Sequence, residues 1–163
     1  MSNYNLRGSS TRGLVGTTLG FFVGFAAVAL YGSTATVFKG VFQDLNPILL
    51  ALLVAAPNLS GALLRIPFGA WVDTTGGKKP FIVLFILSII GMSGLYILVA
   101  FFGDSLGNYY SLLFIFGILS GCGIATFSVG ASQTSYWFPK SKQGVALGAY
   151  AGFGNLAPGI FSL

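Results

Sequence analysis

The chain alternates between long apolar runs and short polar joints. Five runs stand out, at residues 13–38, 45–72, 81–103, 110–138 and 144–163. A helix that crosses the hydrocarbon core of a bilayer needs about 20 mostly apolar residues, so each run predicts one transmembrane helix. The first run carries no charge, the second carries only Arg65, and the fifth is still apolar at Leu163. The joints at 39–44, 73–80, 104–108 and 139–143 are too short to hold a soluble domain. The pattern predicts an all-α polytopic membrane protein. The opening MSNYNLRGSSTR is polar, and the run behind it is too long for the apolar region of a signal peptide, so an uncleaved first span is expected.

Composition narrows the class. Hydrophobic residues make up 55% of the 163 positions and charged residues 7%, and the mean hydropathy is +0.86. Soluble domains carry about 25% charged residues, so a water-facing surface, a disordered chain and a soluble enzyme are all excluded. The lone Cys122 cannot form an internal disulfide. A pI near 9.6 would point to nucleic acid in a soluble chain. Here the cations sit mostly in the joints, so the bilayer is the expected partner and nucleic acid is not. Arg7, Arg12, Lys78, Lys79, Lys140 and Lys142 fall on one side of the membrane and Lys39 on the other. The excess of positive charge on cytoplasmic joints puts the N-terminus in the cytoplasm, and a plasma membrane is the expected location.

Small residues recur every four positions inside the runs: Gly16, Gly20 and Gly24; Gly117, Gly121 and Ala125; Gly144, Gly148 and Gly152. Such stripes let helix backbones approach closely. Ser128 and Ser132 continue the second stripe, and Asn155 and Gly159 follow the third. Together they favour a compact bundle around a polar cavity. Pro57, Pro67 and Pro158 lie within apolar runs, where membrane helices tolerate them as kinks.

Arg65 is the most informative residue. It precedes Asp73 by eight positions, which places it about 12 Å into the membrane at about 1.5 Å per residue. A long arginine can snorkel part of that distance to the headgroups. Against snorkelling, helical spacing sets Arg65 beside Asn58, Gly61 or Ala62, and Gly69, a small and polar stripe unlike a lipid-facing one. No acidic residue lies within any span to pair with it. An uncompensated charge there is costly, and its planar fork of donors suits a small planar oxyanion. The residues alone therefore suggest an anion pathway.

The joint after the second span reads GAWVDTTGGKKP, with Gly69, Asp73, Gly76, Lys78 and Lys79 at set spacing. This resembles the loop signature of the major facilitator superfamily, with Thr74 where that family usually has a basic residue. The resemblance implies that Asp73, Lys78 and Lys79 take part in a cytoplasmic gate. The stretch FPKSKQGVALG, followed by AGFGN, is similar to the nitrate/nitrite porters of that superfamily. In that family an arginine on the second helix binds the anion, and Arg65 occupies its place. Gly152, Gly154 and Asn155 correspond to the glycine-rich nitrate signature, whose glycines bring the backbone close to substrate and neighbouring helices. Ala157 departs from it where a glycine usually follows.

The fold expected from the resemblance is about five transmembrane helices of a major-facilitator-type N-terminal bundle, within an incomplete chain. Such porters rock two six-helix bundles around a central site, so a C-terminal half, on the same or a separate chain, is an expected partner. The expected function is secondary active transport of nitrate and/or nitrite by alternating access, as exchange or proton-coupled uptake. Two other readings stay open: a porter for another small or organic anion, and a non-transporting membrane fragment that needs a partner chain. No enzyme, cofactor or metal is expected, because Ser128, Ser132, Ser135 and Cys122 have neither a histidine nor an intramembrane carboxylate to activate them.

Overall fold

A computed structural model describes residues 8–43 and 45–161, and every regular element among them is a helix. Arg7, position 44 of the first joint and residues 162–163 of the last predicted run lie outside the described residues. Helix α1 (Ser10–Ser33) begins at Ser9, whose Oγ accepts the Arg12 amide at 3.3 Å. It steps at Thr34 into the short α2 (Ala35–Val41), and the two make one apolar span. Helix α3 (Pro47–Thr75) is capped by Asn46, whose side chain accepts the Ile48 amide at 2.9 Å, and it opens on a proline, which loses no helical hydrogen bond there.

α3 ends at Gly76, whose φ of +74° is a left-handed conformation that glycine adopts without cost. Helix α4 (Lys78–Phe101) starts immediately after Gly77. The joint expected at 73–80 thus contracts to two glycines, with Asp73 on the last turn of α3 and Lys78, Lys79 and Pro80 on the first turn of α4. Pro80 can sit there because the first amides of a helix have no helical partner.

The fourth span is broken. A 3₁₀ turn (Gly103–Tyr109) leads into α5 (Tyr110–Gly121), a second 3₁₀ turn (Cys122–Ala125) and α6 (Thr126–Trp137). Among the described residues, four segments are long and apolar enough to cross a membrane: Ser10–Val41, Pro47–Thr75, Lys78–Phe101 and Ser105–Trp137. The fifth run is different. It begins at Lys140, forms α7 (Lys140–Gly154), and breaks at Asn155 before α8 (Leu156–Phe161).

The mid-span 3₁₀ turn is the centre of the fold. Residues 121–126 are all buried. A Cβ on Gly121 would strike the Pro57 backbone, one on Gly91 the backbone at Leu119–Ser120, and one on Gly24 the Gly123 carbonyl. Spans one, two and three therefore close on the fourth through bare backbone, the arrangement that replaces the hydrophobic effect between helices in lipid. The stripes divide accordingly. Gly24, Gly117 and Gly121 are packed, whereas Gly16, Gly144, Gly148 and Gly152 meet nothing within 4 Å.

Backbone groups freed by these breaks find hydroxyl partners, as lipid requires. Pro57 has no amide for the Leu53 carbonyl one turn earlier, and the Tyr31 hydroxyl donates to that oxygen instead, at 2.8 Å. At the 3₁₀ turn the Cys122 amide shifts to the Leu119 and Ser120 carbonyls. The Ile118 carbonyl then accepts the Ser60 hydroxyl at 2.6 Å, and the Ser120 carbonyl accepts Ser88 at 3.0 Å.

Candidate functional site

Arg65 sits on α3 ten residues before its end at Thr75, about 15 Å along the axis from the joint. Its side chain is half-buried. Its Nε is buried, with no hydrogen-bond partner among the described residues. The guanidinium carbon stands 5.2 Å from the centroid of the Phe127 ring on α6. That distance is within cation–π range, a contribution of about 0.5–2 kcal/mol. It offsets part of the cost of the charge and leaves the Nε–H donor unused.

Phe127 is one wall of an aromatic cluster. Phe21 on α1 stands 5.1 Å from Phe127, 4.4 Å from Phe25 and 5.2 Å from Tyr150 on α7. Tyr150 lies 6.1 Å from Phe127 and donates its hydroxyl to the Phe127 and Thr126 carbonyls at 2.8 and 3.3 Å. Those bonds fix the ring where α6 leaves the 3₁₀ turn, and Gly130 leaves the space it fills. Arg65 is thus backed by rings from α1, α6 and α7.

The signature residues on α7 do not share one face. Gly154 is buried with its open side against the Phe21 ring, so it belongs to the cluster behind Arg65. Gly152 is exposed and meets nothing, as two-residue spacing on a helix requires. Asn155 ends α7, exposed, with its Nδ2 donating to the Ala151 carbonyl at 2.9 Å. Of the sequence-predicted binding residues, Arg65 and Gly154 are linked through Phe127 and Phe21, and Gly152 and Asn155 stand outside that link.

On α3 itself, Gly61 is buried against Ile124, so Arg65 shares its open face with Asn58 and Ala62. Gly69 faces the Ser128 Cβ of α6 at 3.5 Å. At the end of the helix the Asp73 carboxylate accepts the Tyr136 hydroxyl at 2.8 Å, and the Gly77 amide donates to the Gln133 side chain at 2.6 Å. Lys78 and Lys79 are exposed beside them. The joint is therefore clasped to α6 by two polar bonds. Sequence reasoning missed both Tyr136 and Gln133; their three-residue spacing on one helix face was the available signal.

Comparison with known proteins bears on the family. The family model of the Major Facilitator Superfamily matches residues 17–163. The nitrate/nitrite transporter NarU of Salmonella typhimurium is 33% identical over 114 residues, which is 70% of this chain and 24% of that protein. NarU of Escherichia coli K12 is 34% identical over the same share. The probable nitrate transporter NarT of Staphylococcus aureus strain JH9 is 32% identical over 147 residues, 89% of this chain and 34% of that protein. The chain thus spans a quarter to a third of the length of the curated relatives it matches. A helical, multi-pass chain with a family match across nine-tenths of its length is a member of the Major Facilitator Superfamily.

Proposed function

We propose that this chain forms the anion-binding part of a transporter that moves nitrate or nitrite across the plasma membrane by alternating access, with Arg65 receiving the anion. The observation that carries this reading is the half-buried guanidinium with a buried, unpartnered Nε–H inside a membrane span. A charge at that depth costs about 2.5–3.5 kcal/mol on insertion scales, and a planar oxyanion held by the guanidinium compensates it. The relatives' names supply nitrate and nitrite; the physics supplies only a small anion. Gly154 contributes by letting Phe21 back the Arg65–Phe127 pair, and Gly152 and Asn155 contribute when the opposite half of the transporter closes over α7. The N-terminus lies in the cytoplasm, so the Asp73–Gly77 joint is a cytoplasmic hinge, with Gly69, Gly76, Lys78 and Lys79 around it.

The test is nitrate uptake by the intact protein carrying Arg65→Lys, which keeps the charge and loses the fork. The reading expects uptake to fall at least tenfold, by about 1.4 kcal/mol or more of transition-state or binding free energy, with unchanged insertion. Competition by nitrite and chlorate, and none by carboxylates, separates this substrate from other anions. Wild-type uptake by Arg65→Lys defeats the assignment.

A further inference from the structure

Lys39 is the sole Lys or Arg in the joints on its side of the membrane. It lines a groove of about 470 Å³ between the end of α2 and α3, which it shares with Asn58 and the small side chains of Ala51 and Ala55. All four residues are exposed. The same face of α3 continues inward through exposed Ala62 to Arg65, seven residues and two helical turns past Asn58, about 10 Å along the axis. Pro47, Leu50 and Val54 add larger apolar walls to the groove, and the polar groups along the track are a cation at the mouth, an amide part-way and the guanidinium at depth. Low-dielectric walls lined by one sign of charge focus the field and concentrate counter-ions. Asn58 adds two N–H donors where lipid-facing helices carry none.

We propose that Lys39 and Asn58 form an outer anion subsite, occupied by a small oxyanion on its way to Arg65. The proposal rests on the Arg65 reading and on Lys39 facing the outside of the cell. Lys39 attracts the ion from bulk solution, and the Asn58 amide replaces part of its hydration before the guanidinium takes it. Both act as positioning residues for entry, with no part in the conformational change.

The experiment uses the intact transporter and nitrate. With Lys39→Gln, the half-saturating nitrate concentration is expected to rise about tenfold at low ionic strength while the maximal rate stays within about twofold. The difference shrinks as salt is added, because screening shortens the reach of the charge, and Lys39→Arg restores wild-type behaviour. Separately, Asn58→Cys in a background freed of other cysteines should react with a membrane-impermeant thiol reagent applied from outside, and nitrate should protect it. An unchanged half-saturation in Lys39→Gln, with Arg65→Lys inactive, overturns the outer subsite and leaves the Arg65 assignment standing. An Asn58→Cys that never reacts, or reacts equally with and without nitrate, overturns it too. Normal uptake by Arg65→Lys removes the pathway itself, and this proposal with it.

Discussion

Tyr31→Phe isolates the hydroxyl that repairs the proline kink in the second span. The Leu53 carbonyl is orphaned by Pro57, which has no amide to give it, and the Tyr31 hydroxyl at 2.8 Å is its replacement donor. Both residues are sealed from solvent, Tyr31 at 1% exposure and Leu53 at 0%. Leaving a buried acceptor unmade costs about 1–3 kcal/mol in proteins generally, whereas interhelical bonds in membranes average about 0.6 and reach about 1.7 kcal/mol. Here Pro57 removes the regular helical donor, so the upper part of the membrane range applies, about 1.5 kcal/mol. Pro57→Ala restores an amide to that carbonyl, so in its background the same Tyr31→Phe change should cost below about 0.5 kcal/mol. The assay is reversible unfolding of the purified protein in mixed micelles, followed by helical circular dichroism, for all four members of the cycle. Equal penalties for Tyr31→Phe in both backgrounds would refute the account of how the kink is satisfied.

Other substitutions probe separate parts of the structure. Gly24→Leu drives a side chain into the Gly123 backbone and Thr126, and should destabilise the fold by about 3 kcal/mol. Gly148→Leu, which meets open space, should leave helix content and unfolding unchanged in the same assay and act only on transport. Tyr136→Phe removes the hydroxyl that Asp73 accepts; initial-rate assays in vesicles should show a changed maximal rate with nitrate affinity within about twofold, because Asp73 lies about 12 Å from Arg65 along α3. Phe127→Leu withdraws the ring 5.2 Å from the Arg65 guanidinium and should weaken nitrate binding several-fold, in line with a contact worth about 1 kcal/mol.

Hydropathy alone located the four runs that form helices long enough to cross a membrane, because in lipid both the helix and its length follow from bilayer thickness, and it missed the break at Asn155 in the fifth. It misplaced helix ends where proline occupies a first turn, as at Pro80, since a proline there reads as a break when it is a start. The break at Cys122–Ala125 was also invisible: GCGIAT scans as continuous apolar helix, and the turn is held by Ser60, Ser88 and Tyr150, residues remote in sequence. Arg65 was legible because an intramembrane charge is rare, and the Asp73 joint because its glycines and charges have fixed spacing. The partners of both, Phe127 and Tyr136, are common residues in common surroundings, and only packing selects them. The glycine stripes show the same division. Their four-residue period was visible in the chain, but Gly121 faces a helix backbone while Gly148 faces open space, a difference that depends on the neighbouring elements.

The central claim is that Arg65 binds the anion, and equilibrium binding of nitrate to the purified intact transporter tests it most directly. Calorimetric titration of wild-type and Arg65→Lys protein, each with verified helix content, gives the comparison without depending on transport. Replacing a charge-assisted, two-pronged contact by a single ammonium should weaken binding by at least about tenfold, or 1.4 kcal/mol. Nitrate binding of equal affinity in the two proteins would contradict the account and place the anion elsewhere.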